Sequence, residues 1–335
     1  MKTIDIKLGY SCNNDCLHCV IQDFRDIVLE KGLPEDISAR IYLQELENAA
    51  QRGFESVVFT GGEPAIRPEL PMLLKKAHEL GLKVQMQTNG RAFSSPEFTR
   101  QIVETAPVFY CVALHGPNAE IHDRITRKSG SFDETLSGLK NLLALEQELA
   151  VKIVISRFNY EFLEKTARLL FSLGVESVML TFPHGCGNAR KFFLQVVPRY
   201  RDIRPQVLKT LRLAENQKRH VVVEAVPFCF LEEYAGQGEI YLLKENENYL
   251  QQYGDEVKER NWSLERACIK RKFPVCAFCR YDLVCEGPWL EYPEHYGEEE
   301  FFPVPGVKIR SLEEFAPPGP EDLILEHLPD GVFPD

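Results

Sequence analysis

Three cysteines near the start of the chain are spaced as a ligand set. In Gly9-Tyr10-Ser11-Cys12-Asn13-Asn14-Asp15-Cys16-Leu17-His18-Cys19, the thiols of Cys12, Cys16 and Cys19 follow a C-x3-C-x2-C pattern, near enough in sequence to face one metal centre. Cys thiolates are the usual ligands of iron–sulfur clusters. Three of them on a four-iron cubane leave one iron open. An open position marks a catalytic centre rather than a structural one, by the reasoning that separates three-ligand from four-ligand zinc. The competing reading of the spacing is a structural zinc site or a loop of unreactive thiols.

The elements around this loop alternate. Ile4-Asp5-Ile6-Lys7-Leu8 reads as a strand that ends in the cysteine loop. Residues 35–52 then put Tyr42, Leu46, Ala49 and Ala50 on one helical face, with Gly53 at a C′ position. Further strands are expected near 55–60, 82–88, 108–114, 151–156 and 176–182, and a possible seventh at 220–226. Between them, helices are stopped by Gly81 and Gly174, and Ser131 with Glu134 reads as a capping box. Such alternation implies right-handed βαβ units and a parallel sheet. The expectation is an α/β fold, a partial (βα)6-type barrel with a small Cys-rich C-terminal extension. Barrels of this kind carry their chemistry at the C-terminal ends of strands. The expected divisions are a barrel over 1–226, a Cys-rich extension over 227–300 and a Pro-rich, acidic tail over 301–335.

Composition narrows the class. The 335 residues carry 39 Lys and Arg against 50 Asp and Glu, a net charge of −11. That balance speaks against a non-specific nucleic-acid surface. No run of 18 apolar residues suggests a membrane span. The first residues alternate polar and apolar types, unlike a secretory signal. Ten cysteines without such a signal are expected to stay reduced in the cytoplasm, as metal ligands or catalytic groups rather than disulfides.

The strand-end residues add a family resemblance. The triplet, with His18 in the aromatic place, resembles the C-x3-C-x-aromatic-C signature of the radical S-adenosylmethionine superfamily. Gly61-Gly62-Glu63-Pro64 looks like that family's GGEP motif, whose backbone and acid hold the methionyl amino group. Thr88-Asn89-Gly90 is similar to its TNG turn, although Asn-Gly also favours a type I′ turn. The resemblance implies that Cys12, Cys16 and Cys19 hold a 4Fe–4S cluster, and that His18, Gly61, Gly62, Glu63 and Asn89 contribute to S-adenosylmethionine binding. Relatives carry Ser and Asp in the fourth-strand motif where this chain has Ala113 and His115. Arg157 and Asn159, after the fifth strand, are the substitutes considered, and Arg157 is equally a surface charge.

Downstream, Cys276-Ala277-Phe278-Cys279-Arg280-Tyr281-Asp282-Leu283-Val284-Cys285 resembles the core of the SPASM and twitch extensions, which hold auxiliary iron–sulfur clusters. Trp289 stands where a full SPASM pattern expects another Cys, so one auxiliary cluster is expected. The fourth ligand is Cys229 or Cys268, and Cys229 is preferred because Pro227 ends an apolar run that reads as barrel. A zinc ribbon competes. Cys111 reads as a small buried hydrophobe and Cys186 as a strand-end loop thiol. Lys270-Arg271-Lys272 reads as a solvated run, or as a docking patch for an acidic electron donor of the flavodoxin or ferredoxin type.

The function implied by the resemblance is reductive cleavage of S-adenosylmethionine to a 5′-deoxyadenosyl radical that abstracts hydrogen from a small-molecule or peptide substrate. The alternatives are a radical methylase, a peptide cross-linking maturase, or a non-catalytic iron–sulfur sensor. A first strand starting at residue 3 leaves no room for an N-terminal leader-binding domain, which tilts the expectation away from ribosomal peptides. No residue is singled out as a catalytic acid or base.

Overall fold

The computed structural model describes residues 2–238, 247–253, 256–311 and 314. Nine strands form one sheet: β1 (Thr3–Lys7), β2 (Ser56–Thr60), β3 (Lys83–Thr88), β4 (Phe109–Ala113), β5 (Leu149–Val154), β6 (Ser177–Thr181), β7 (His220–Glu224), β8 (Glu247–Tyr253) and β9 (Glu256–Asn261). Their order is β7-β6-β5-β4-β3-β2-β1-β8-β9. Every neighbouring pair is parallel except β8 with β9. β7 and β9 are the two edges, so the barrel is open.

Each crossover from β1 through β7 carries a helix whose apolar face covers the sheet. Helix Ala39–Gln51 buries Tyr42, Leu46 and Ala49, and the Ser38 hydroxyl accepts from Arg40 N–H at its start. Helix Leu70–Glu79 buries Leu70, Leu73, Leu74 and Ala77. A fully buried side chain of this size contributes about 1.5–3 kcal/mol. The glycines expected to end helices take left-handed φ, 74° at Gly53, 75° at Gly81 and 97° at Gly174. On the sheet, β2 is buried along its whole length, as a strand covered on both faces must be.

Several expectations change. β8 and β9 were not anticipated; both come from the stretch assigned to the extension, and β8 pairs with β1 through Ile4 with Asn248 and Ile6 with Leu250. Few apolar residues mark this edge hairpin, which hides it from a hydrophobicity pattern. β5 starts two residues early because Glu146, at φ 54°, turns the chain directly out of helix Ser131–Ala144. That helix has no capping box. Gly130 is its N-cap, and Asp123 takes over, accepting from the N–H groups of Gly130 (2.7 Å) and Phe132 (2.8 Å) and from the Ser131 hydroxyl (2.9 Å).

The supposed tail begins as part of the extension. Phe301 and Ile309 are buried. Arg280 exchanges backbone hydrogen bonds with it, donating to Val304 O (2.8 Å) and accepting from Ile309 N–H (2.9 Å). The remainder of 301–335, apart from residues to 311 and Glu314, lies outside the described residues. The extension also shares a core with the barrel: Tyr292 Oη accepts from Tyr200 N–H (2.9 Å), and Tyr296 Oη donates to Val197 O (2.7 Å). No helix among the described residues is long and apolar enough to cross a membrane.

Candidate functional site

The cysteine loop leaves the C-terminal end of β1 and is held by four neighbouring segments. From the loop after β2, Gly62 N–H donates to Gly9 O (3.0 Å) and Glu63 N–H to Ser11 O (2.9 Å). A Cβ on Gly62 would lie 2.0 Å from Ser11 O, and one on Gly61 would lie 2.5 Å from Gly9 O. The two glycines are therefore required by the close approach of two backbones, whatever else they meet. Helix Ala119–Thr126 accepts from the loop's underside, Asp15 N–H reaching Thr126 O (3.0 Å) and Leu17 N–H reaching Ile125 O (2.9 Å).

Two clamps come from residues that the sequence alone did not single out. Arg91 reaches the carbonyl of Asn13 and Asn14 Oδ1 (3.0 Å) while pairing with Glu134 (2.5 Å). Asn188, in the loop after β6, accepts nothing from the thiols but donates Nδ2–H to Cys16 O (2.9 Å) and N–H to Cys19 O (3.0 Å). The signal for each was adjacency: Arg91 follows the Thr88-Asn89-Gly90 turn, and Asn188 follows a strand-end Cys186-Gly187. Gly187 is at φ 58°, and a Cβ there would meet Cys19 O at 2.1 Å.

All three thiols are half-buried and free of disulfides. Burial pushes the Cys12 thiol up to about 12, with Glu63 adding to it, and raises Cys16 and Cys19, where Cys19 and Asp15 respectively contribute as neighbouring negative charges. Donors nevertheless point at the sulfurs. Asn14 N–H (3.4 Å) and Asn89 Nδ2–H (3.8 Å) reach Cys12, and backbone N–H groups of Ile21 and Gln22 reach Cys19. Three mutually repelling thiolates with N–H donors already in place fit a cationic iron–sulfur core, which binds the deprotonated form and releases the protons.

Glu63 is 1% exposed, and its carboxylate is fully engaged by the protein. Oε1 accepts from Ala65 N–H (2.9 Å) and Thr88 Oγ1–H (2.5 Å), and Oε2 from Asn89 N–H (2.6 Å). Burial raises its pKa against those donors. The side chain thus ties the loop after β2 to the end of β3. Asn89 completes the tie, donating to Asn13 Oδ1 (2.6 Å). It has no left-handed φ, although Gly90 does (77°), so the turn is not type I′. In Glu63→Gln the amide would face at least one of these donors, orphaning a buried N–H at about 1–3 kcal/mol. The expected result is a thermal midpoint lower by about 1–4 °C. An unchanged midpoint would show that the carboxylate is not the tie.

His18 lies beneath the loop, its ring 4.5 Å from His115, which stacks at 5.7 Å on His122. His122 Nδ1 accepts from His115 N–H (3.0 Å). Burial lowers all three, His18 and His122 to about 4, so the stack is neutral. In the unfolded chain a histidine titrates near 6.5. Above that pH neither state is charged. Below it the unfolded state takes the proton and the fold does not, so stability falls as pH drops from about 6.5 towards 4. For His122 the loss at pH 5.5 is about 1.4 kcal/mol, with His115 and His18 in the same direction. Urea midpoints at pH 7.5 and 5.5 measure it; equal midpoints would contradict a neutral buried stack.

The other candidates fall apart into two groups. Arg157 is exposed at the end of β5, its N–H bonded to Val196 O (2.9 Å), while Asn159 is buried and donates Nδ2–H to His115 O and Val154 O (2.9 Å each). Asn159 locks the ends of β4 and β5 together. Cys229, Cys276, Cys279 and Cys285 line one small cavity, beside Tyr281, Phe301 and Phe302. Cys268 is exposed at the end of helix Trp262–Cys268. Lys270, expected in solvent, is 9% exposed and sits 3.5 Å from the centre of the Trp289 ring, and Lys272 Nζ bonds Asp282 O. The basic run is therefore not one solvated face. Cys111 is buried in β4.

Comparison with known proteins agrees with this geometry. Residues 6–170 match the profile of the Radical SAM superfamily. The AdoMet-dependent heme synthase of Methanosarcina barkeri is 27% identical over 184 residues, 54% of this chain and 51% of that protein. Mycofactocin maturase MftC of Mycobacterium tuberculosis is 31% identical over 171 residues, 50% of this chain and 41% of that protein. The chain thus spans about half the length of the curated relatives it matches. Among solved structures, Streptococcus suis SuiB bound to S-adenosylmethionine superposes with a TM-score of 0.62 at 13% identity, covering 90% of this chain and 76% of that one. The likeness is one of fold. The cofactors that go with the domain are a 4Fe–4S cluster and S-adenosylmethionine. With the matched segment running from β1 through the cysteine loop and the strand ends after β2 and β3 that clamp it, residues 6–170 of this chain form a radical SAM domain.

Proposed function

We propose that the chain is a radical S-adenosylmethionine enzyme whose cluster is held by Cys12, Cys16 and Cys19, and that it abstracts hydrogen from a small-molecule or peptide substrate at the C-terminal ends of the strands. The observation that carries this reading is the convergence of four segments on one cysteine loop, with N–H donors directed at Cys12 and Cys19. When bound, the cluster supplies the electron that cleaves the sulfonium, and the resulting 5′-deoxyadenosyl radical does the hydrogen abstraction.

The protein's part is to bind, orient and keep water out. Asn89, Arg91 and Asn188 hold the loop that carries the three thiols. Gly61, Gly62 and Glu63 serve S-adenosylmethionine through the loop they fix rather than through the Glu63 carboxylate, whose oxygens are already engaged. His18, half-buried within the loop between Cys16 and Cys19, packs against the His115 ring, and exposed Arg157 is free to meet a polar part of cofactor or substrate.

A second cluster is proposed on Cys229, Cys276, Cys279 and Cys285, supported by the cavity they share. The proposed electron source is a donor of the flavodoxin or ferredoxin type, in a reducing cytoplasm. Peptide maturation is the second reading, favoured by the likeness to MftC over half of the chain. Anaerobic reconstitution followed by reduction tests the central claim. About eight irons per chain and 5′-deoxyadenosine from added S-adenosylmethionine are expected. Iron without 5′-deoxyadenosine would turn the reading to a sensor, and four irons with one zinc would turn the extension to a ribbon.

A further inference from the structure

A second donor set lies at the mouth, separate from both groups of cysteines described above. The loop after β6, Pro183-His184-Gly185-Cys186-Gly187, meets Glu291 at the start of helix Tyr292–Tyr296. His184 Nε2 is 3.3 Å from Cys186 Sγ and 3.3 Å from Glu291 Oε1, and Sγ is 3.9 Å from that oxygen. All three ligand atoms lie within 4.8 Å of one another. A tetrahedral ion with Zn–S of about 2.3 Å and Zn–N and Zn–O of about 2.0–2.1 Å separates S from N or O by about 3.6 Å, and N from O by about 3.4 Å. The three observed separations each match to about 0.3 Å.

The second observation is Glu291 Oε2, which is buried with no hydrogen-bond partner among the described residues. A carboxylate oxygen left so is costly unless a cation takes it. The donors are also held in place. The His184 ring stacks on Trp289 at 4.1 Å, and Trp289 lies under Lys270. Gly185 has no Cβ, which would lie 3.1 Å from Glu291 Cβ, and Gly187 N–H donates to Asp23 Oδ2 (2.8 Å).

We propose that His184, Cys186 and Glu291 bind one divalent cation of the zinc or ferrous type, with an open fourth position that takes an anionic oxygen of the substrate. Mixed thiolate, imidazole and carboxylate donors suit such ions. Three protein ligands leave a place for an external one. The loop that carries the site continues into Asn188, which holds the carbonyls of Cys16 and Cys19, so a ligand on this ion lies beside the cluster loop.

The test uses protein whose clusters are already loaded, so that the seven cluster cysteines are occupied, with Zn2+ as the probe. About one zinc per chain is expected beyond the cluster iron, with X-ray absorption showing one sulfur at about 2.3 Å and nitrogen or oxygen at about 2.0–2.1 Å. Cys186→Ser, His184→Gln and Glu291→Gln should each weaken zinc at least a hundredfold while keeping the iron. No zinc on the loaded protein, an all-sulfur environment, or unchanged zinc in the three variants would overturn the proposal. The readout is independent of S-adenosylmethionine cleavage, so a failure of the radical reading would leave the zinc count intact.

Discussion

Replacing Cys12, Cys16 and Cys19 together by Ala is expected to remove about four irons per chain and to abolish 5′-deoxyadenosine formation, while the second set of cysteines keeps its metal. The separation follows from the architecture. The first three thiols sit on a loop carried by β1 and clamped by segments after β2, β3 and β6 and by helix Ala119–Thr126, whereas the others line a cavity between the extension and the chain after β7. Neither group supplies a ligand to the other. The loop should also survive the substitutions, because its clamps are backbone hydrogen bonds and the side chains of Asn89, Arg91 and Asn188, none of which is removed. A loss of fold is therefore not expected, and circular dichroism with the iron count checks that. Substantial 5′-deoxyadenosine from the triple variant would sink the assignment of the cluster to this loop.

The parts of this arrangement that could be read from the sequence are those written in local pattern. Seven strands announce themselves as β-branched or apolar runs, three of them directly after the helix-ending Gly53, Gly81 and Gly174, and the cysteine spacing and Gly61-Gly62 lie within a few residues of a strand end. What could not be read depends on partners far along the chain. Asp123 displaces the Ser131 and Glu134 box because it folds back onto Gly130 and Phe132. Lys270 leaves solvent because Trp289 and Leu290 return to pair with it and Ile269, a contact across nearly twenty residues. β8 adds to β1 across more than two hundred residues with a polar sequence, so its pairing comes from position and not from composition. Glu63 shows the intermediate case. Its importance was legible, but its partners, Thr88 and Asn89, became known only once β2 and β3 were adjacent.

That same dependence on distant partners bears on the fourth ligand proposed for the second set. Cys268 is eight residues before Cys276 and was the closer candidate in sequence, yet it is exposed at the end of helix Trp262–Cys268. Cys229 is nearly fifty residues away, on the short helical turn Phe228–Phe230 just after β7, and it is buried facing the cavity that Cys276, Cys279 and Cys285 line. Its thiol is raised by burial first and then by the charges of Cys285, Cys279 and Cys276, so the four sulfurs sense one another. A ligand on Cys229 ties the extension to the barrel, and a reacting constellation tolerates only about 0.5 Å of misplacement. Cys229→Ser is therefore expected to lose about four of about eight irons, or to leave them labile, whereas Cys268→Ser keeps the full complement. Both variants retain Cys12, Cys16 and Cys19, so 5′-deoxyadenosine formation without substrate should persist in each. Loss of the second cluster in the Cys268 variant alone would assign the ligand to the exposed helix end and remove the reason for the cavity's four-sulfur lining.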